Sequence, residues 1–227
     1  MTEHLFNTDN SFWQMVGRVG DMIILTLLTL ICCLPLVTAG ASISAMNYVC
    51  FKLMEHDNEN TVKNFFHSFR QNLPQGCVIS LVMGAAGLFI WYDIWFMRWF
   101  PAVYGGGVLL YAGWAICLYL LFFYLSVSVY LFAFQARFYN PLSVTFKSAV
   151  VAALKNLPKT VKMLAGDVCV FFLIILCFQY VPQIVIIPLL TALPLCTWYH
   201  AWVMRDILKL IPGKSDRMVE DVVEKRQ

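Results

Sequence analysis

Three aspartates lie beside or within apolar runs of this chain: Asp21, Asp93 and Asp167. A carboxylate in hydrocarbon is costly unless something compensates it, so an intramembrane acid marks a candidate proton or ion site. Each of the three also has a structural account. Asp21 and Asp167 fall near the N-terminal ends of their apolar segments, where the helix dipole favours an anion. Arg18 precedes Asp21 by three residues, a spacing that lets the two pair on a helix. Asp93 sits in the aromatic run WYDIWF, which reads as an interfacial segment. Asp167 is the deepest, and with Gln179 it forms the pair of candidate intramembrane polar residues.

The other reactive side chains carry less. The four histidines, His4, His56, His67 and His200, lack a second histidine or carboxylate at the spacing of a helical metal pair. His56, Asp57 and Glu59 read as a solvated polar loop. The eight cysteines include no C-x-x-C pair and lie mostly in apolar stretches, as small buried residues do. No G-x-S-x-G, P-loop or H-E-x-x-H pattern is present. The glycine run 105–107 reads as a turn. These residues supply no catalytic, metal-binding or cofactor-binding set, and the expectation is a non-enzymatic protein without a cofactor.

Of the 227 residues, 60% are apolar and 13% charged. A soluble domain of that size has too little interior for so much apolar surface, so the chain reads as an integral membrane protein. Five apolar segments approach or exceed the roughly 20 residues that a bilayer requires: 21–39, 77–97, 108–134, 163–181 and 184–204. Acidic and polar residues before the first, with no basic leader, favour an uncleaved first helix.

Lysine and arginine set the orientation. With five crossings, alternate segments hold 14 of these residues against two. The expectation is a multi-pass protein of the bacterial inner membrane, with its N-terminus outside and its C-terminus cytoplasmic. Trp91, Tyr92, Trp95, Trp99 and Tyr104 then gather at the outer end of the second span, and Trp198, Tyr199 and Trp202 at the inner end of the fifth. Pro35 permits a kink at the end of the first span, and 44–54 continues it into the cytoplasm. Pro188 and Pro194 predict a bent fifth span. Ser80, Gly84 and Gly87 form a small-residue face for helix packing.

Two connections carry the amphipathic phrases TVKNFFHSFRQNLP (61–74) and TFKSAVVAALKNLP (145–158). In the first, Val62, Phe65, Phe66, Phe69 and Leu73 share a face, with Lys63, Asn64, His67, Arg70 and Gln71 opposite, and Pro74 ends the helix. Basic residues on these helices would lie beside anionic lipid heads. Lys63, Phe65, Phe66, Arg70, Lys147, Lys155 and Lys159 are therefore the candidate contacts for lipid or a docked partner.

An offset of 84 residues pairs 33–74 with 117–158 and gives ten identities in 42 positions, among them Ser42/Ser126, Thr61/Thr145 and the Asn-Leu-Pro at 72–74 and 156–158. The expected fold is an all-α polytopic membrane helix bundle forming a single domain over 1–227. It contains two tandem parallel repeats of span, cytoplasmic helix and span, about 21–97 and 108–181, followed by a fifth span and basic tail, 184–227.

Arg18, Asp21, LPLVTAGAS (34–42), Ala45, Tyr48, NFFHSFRQN (64–72) and Asp93 carry a resemblance to the YesL-like family of bacterial multi-pass membrane proteins, a family without an assigned activity. It covers about residues 5–100; beyond them only hydropathy agrees. Where the family often has lysine and phenylalanine, this chain has Arg70 and Leu73. Members are typically encoded beside sugar-importer and glycan-degrading functions, so the resemblance implies a link to carbohydrate uptake and supplies no catalytic residues. The expected role is an accessory or regulatory subunit of a membrane assembly linked to oligosaccharide uptake. Its expected partners are membrane lipids, sugar-importer subunits and further copies of the chain, and not nucleic acid. The alternative is a small oligomeric transporter or channel whose path is lined by Asp167, Gln179, Ser126, Ser128 and Asn47.

Overall fold

The computed structural model describes residues 11–54, 60–104, 107–180 and 185–210. The polar loop at His56, Asp57 and Glu59, the glycines 105 and 106, the first ten residues and the basic tail from 211 lie outside them. The described chain is helical, with α1 (Ser11–Cys33), α2 (Ala39–Met54), α3 (Thr61–Tyr104), α4 (Val108–Arg137), α5 (Leu142–Lys155), α6 (Leu157–Tyr180) and α7 (Ile186–Leu210).

Five described stretches are long and apolar enough to cross a membrane: Leu36–Met54, Thr61–Trp99, Leu110–Arg137, Leu157–Tyr180 and Ile186–Leu208. Four of them contain most of the expected spans from the second to the fifth. The first differs. The segment 21–39 is not one crossing, because its helix stops at Cys33. Pro35 has no N–H to continue α1 and drives Leu34 out of the helical region. A short 3-10 turn follows, capped by Thr38, whose hydroxyl donates to the carbonyls of Cys32 (2.6 Å) and Pro35 (2.8 Å).

The chain then reverses. Ser42 Oγ donates to the carbonyl of Thr29 at 3.0 Å. In one continuing helix those residues would be about 20 Å apart at 1.5 Å per residue. Thus α2 does not extend the first span into the cytoplasm; it folds back beside α1 as a helical hairpin. Thr61 Oγ1, at the start of α3, donates to Asp21 Oδ1 at 3.0 Å. Two residues so joined cannot lie on opposite faces of a roughly 30 Å hydrocarbon core. Asp21 and the start of α3 therefore lie on one face, so the expected combination of Asp21 outside with 61–74 in the cytoplasm does not hold.

Helix α2 is the innermost element, with 67% of its apolar window buried. It packs antiparallel to α3, from Lys52 beside Asn64 to Gly40 beside Gly76. The second contact needs glycine. A Cβ on Gly40 would lie 2.5 Å from the Gly76 carbonyl oxygen, and one on Gly76 would lie 2.6 Å from the Ala41 nitrogen. Ser80 Oγ accepts the Gly40 N–H at 2.6 Å. The expected face of Ser80, Gly84 and Gly87 is only partly used: Gly87 meets the Tyr124 hydroxyl, whereas a Cβ on Gly84 would have nothing within 4 Å.

Pro74 does not end a helix, for α3 runs unbroken through it. Proline orphans the carbonyl of Arg70, but that residue is exposed, and Asn72 Nδ2 ties the same turn by donating to the Ser68 carbonyl at 3.0 Å. In the second phrase the helix does break. Asn156 adopts φ −114°, ψ 38° after α5, and Pro158 falls in the first turn of α6, where an N–H has no intrahelical partner to lose.

Helix α4 returns antiparallel along α3, with Tyr124 hydrogen-bonded to the Met83 carbonyl and Gln135 to Asn72. Helices α6 and α7 form a second antiparallel pair. Pro194 lies inside a continuous α7 and leaves the Leu190 carbonyl without its intrahelical donor. Thr26 of α1 supplies one, its hydroxyl donating to Leu190 O, while the Cys50 thiol of α2 reaches Pro194 O at 3.8 Å. The core joins Tyr48, Phe65, Tyr130, Leu131, Met163 and Met204, all fully buried. Outward faces are apolar, notably Phe171, Phe172 and Phe178 on α6 and Leu81, Leu88 and Phe89 on α3, which suits a lipid solvent.

Candidate functional site

The first half of α3 is turned relative to the expected face. The buried residues are Thr61, Asn64, Phe65, Ser68, Asn72 and Gly76, a stripe of mostly small or polar side chains. Val62, Phe66 and Leu73 are exposed instead. Facing other helices, small polar side chains allow close backbone approach and find hydrogen-bond partners; facing lipid, large apolar ones need none. The amphipathic logic of a soluble protein is therefore partly inverted.

This stripe forms a polar seam with α2 and α4. Lys52 is buried, with Nζ 3.4 Å from Asn64 Oδ1 and 5.1 Å from the centroid of the Tyr48 ring. Lower in the seam, Asn72 Nδ2 donates to Ser68 Oγ at 3.1 Å. Gln135 Nε2 of α4 donates to Asn72 Oδ1 (3.2 Å) and to Gln75 Oε1 (3.3 Å), clasping the two helices. Among the described residues, Gln135 Oε1 and Ser44 Oγ are buried acceptors without a partner. A second junction joins Tyr130 of α4 to Thr160 of α6 at 3.2 Å, both fully buried.

The other polar centre lies between α6 and α7. His200 Nε2 is 2.9 Å from Asp167 Oδ1, with the imidazole nearly buried and the carboxylate about one third exposed. Cys196, one helical turn before His200, lies beside Asp167. Gly166 admits the Tyr199 ring, since a Cβ there would sit 2.6 Å from Tyr199 Cε1. Among the described residues no three metal-capable side chains converge.

The expected site residues divide. Lys63, Phe66, Arg70, Lys147 and Lys155 are exposed, and Lys159, half-exposed, pairs with Asp206 at 3.5 Å. Phe65 is not a surface contact. It is fully buried, stacked on Phe69 and edge-on to Phe66. Gln179 is exposed near the end of α6 and joins no interior polar group. The residues expected to line a path do not come together. Asn47, Ser126 and Ser128 each bond a carbonyl four residues back on their own helix, and Asp167 pairs with His200.

Sequence reasoning missed Lys52, Asn72, Gln135 and His200. Gln135 could have been flagged as an amide inside an apolar run, and Cys196 with His200 as a pair spaced by four. Lys52 is one of the basic residues that set the orientation, and nothing in its sequence neighbourhood announces burial.

No curated protein and no solved structure matches the chain. A family model does match residues 22–94, about one third of the length, reaching from α1 through the hairpin into α3. That segment, with its Leu-Pro turn and polar seam, is similar to the family described as Protein of unknown function, DUF624.

Proposed function

We propose that the chain is a non-enzymatic accessory or regulatory subunit of a bacterial inner-membrane assembly linked to oligosaccharide uptake, with its basic connections and C-terminus cytoplasmic. The observation that carries this reading is the surface left by the turned α3. Lys63, Phe66 and Arg70 stand outward together with Val62 and Leu73, and Lys147 and Lys155 stand outward on α5. Apolar and basic side chains so placed fit a headgroup-level surface, where a partner or anionic lipid supplies the complementary charge. The YesL-like resemblance supplies the link to sugar uptake. Two tandem units belong to the same reading. In its support, Asn72 and Asn156 each donate from Nδ2 to the carbonyl four residues earlier, at 3.0 and 3.1 Å.

The test is recovery of the tagged chain from its native membrane in mild detergent, with partners identified by mass spectrometry. Stoichiometric importer subunits support the role; the chain alone, as a defined oligomer, overturns it. A second reading, a small oligomeric transporter, is favoured by the Asp167–His200 pair alone. It requires Asp167→Asn to abolish solute flux in liposomes while the oligomer still assembles.

A further inference from the structure

The α1–α2 hairpin ends in the turn Leu34-Pro35-Leu36-Val37. Leu34 and Leu36 are 80% and 83% exposed, while the hydroxyl of Thr38 beside them is spent on the carbonyls of Cys32 and Pro35. A turn facing water would ordinarily present polar side chains. This one presents aliphatic side chains, and its nearest side-chain donor is used internally, which are the requirements of backbone in hydrocarbon.

Position agrees with composition. Gly40, two residues past the end of the 3-10 turn, abuts Gly76 and Ser80, where the apolar run of α3 begins. The aromatic cluster of Trp91, Tyr92 and Trp95 lies 11 to 15 residues further along α3. At 1.5 Å per residue the level of Gly40 and Ser80 lies roughly 20 Å short of that cluster. The base of the hairpin is polar and shared with α3, through Asp21 and Thr61.

We propose that α1 and α2 form a re-entrant hairpin. It enters the bilayer from the face that bears the basic connections, turns among lipid acyl chains at 34–37 and returns to the same face. The charge distribution supports this independently. With Arg18 on the side of Lys52, Lys63 and Arg70, 15 of the 16 lysines and arginines fall on one face and Arg98 alone on the other. A single first crossing leaves two on the sparse face.

Epitopes placed at the N-terminus and in the loop at 57 read the topology, in intact spheroplasts and in inverted vesicles. Both are expected to bind antibody only in inverted vesicles; an N-terminal epitope accessible in spheroplasts overturns the hairpin. Depth is read by Leu36→Cys in a chain whose native cysteines are replaced. It is expected to react with a lipophilic maleimide and to resist a membrane-impermeant one from either face, and impermeant labelling from either face overturns the proposal. Should the cysteine-free chain fail to insert, the unaltered chain is photolysed in vesicles of phosphatidylethanolamine and phosphatidylglycerol bearing an acyl-chain diazirine. Lipid adducts within 34–37 are expected, and adducts on α6 with none on the turn overturn it.

Discussion

Proline and threonine act on each other across the molecule. Pro194 removes the donor that the Leu190 carbonyl would have inside α7, and Thr26 of α1 restores it. In lipid an orphaned carbonyl has no water to turn to, so the side chain on the neighbouring helix becomes part of α7's backbone bonding. Thr26→Val keeps the shape and deletes the hydroxyl. It should cost about 1 kcal/mol, in line with interhelical hydrogen bonds in membranes. Pro194→Ala returns an N–H to the Leu190 carbonyl, so the same Thr26→Val change made in that background should cost markedly less. A double-mutant cycle on detergent unfolding reads the difference; equal costs in the two backgrounds would show that the contact carries no coupling. Residue types alone expose half of this. Proline in an apolar run announces an unsatisfied carbonyl, whereas the distant threonine that answers it is visible only in three dimensions.

Elements are placed by how closely their backbones approach, and here glycine decides. Gly40 and Gly76 let α2 and α3 meet with almost no side chain between them, and a Cβ on Gly76 would fall within 3 Å of Ala41 backbone. Backbone cannot yield as a flexible side chain can. Gly76→Ala should therefore cost about 2 kcal/mol or more, at the upper part of the range for overpacking. Gly84→Ala, four residues beyond Ser80 on the same helix, meets open space and should leave the melting temperature within a degree or two, since it also improves helix propensity. A thermal shift series on the purified protein separates the two sites; equal losses would mean that α2 and α3 do not pack as described.

The same elements show what was readable beforehand. Length and apolarity located α3, α4, α6 and α7, because a bilayer imposes both. The split at Pro35 was visible as a possible kink, but its outcome depends on Thr38 and Ser42 bonding back to α1, which no periodicity encodes. The buried face of α3 was misread for a physical reason. The usual rule sends large apolar residues inward, and around this seam the interior takes Asn64, Ser68 and Asn72 while Phe66 and Leu73 face out.

At the scale of the whole molecule, that inversion changes how docking must be tested. The phrase 61–74 holds two phenylalanines that look equivalent in sequence and have different work. Phe65 is fully buried against Phe69 within the core, so Phe65→Ala should cost about 3 kcal/mol or more and reduce the amount of folded protein. Loss of a partner in that variant would say nothing about docking. Phe66 is 42% exposed, and Lys63 and Arg70 stand outward on the same helix. The triple change Lys63→Gln, Phe66→Ala and Arg70→Gln removes the outward charge and ring while leaving the seam of Asn64, Ser68 and Asn72 intact. It should keep the elution profile and the melting temperature within a few degrees, because none of the three side chains fills the core. If the outward face of α3 holds a partner, that variant should recover it at least tenfold less well from native membranes, and Lys147→Gln with Lys155→Gln should weaken recovery further if α5 belongs to the same surface. Undiminished recovery by the triple variant, with normal insertion, would move the docking site off this helix. The exposed basic and apolar side chains of α3 would then serve lipid alone.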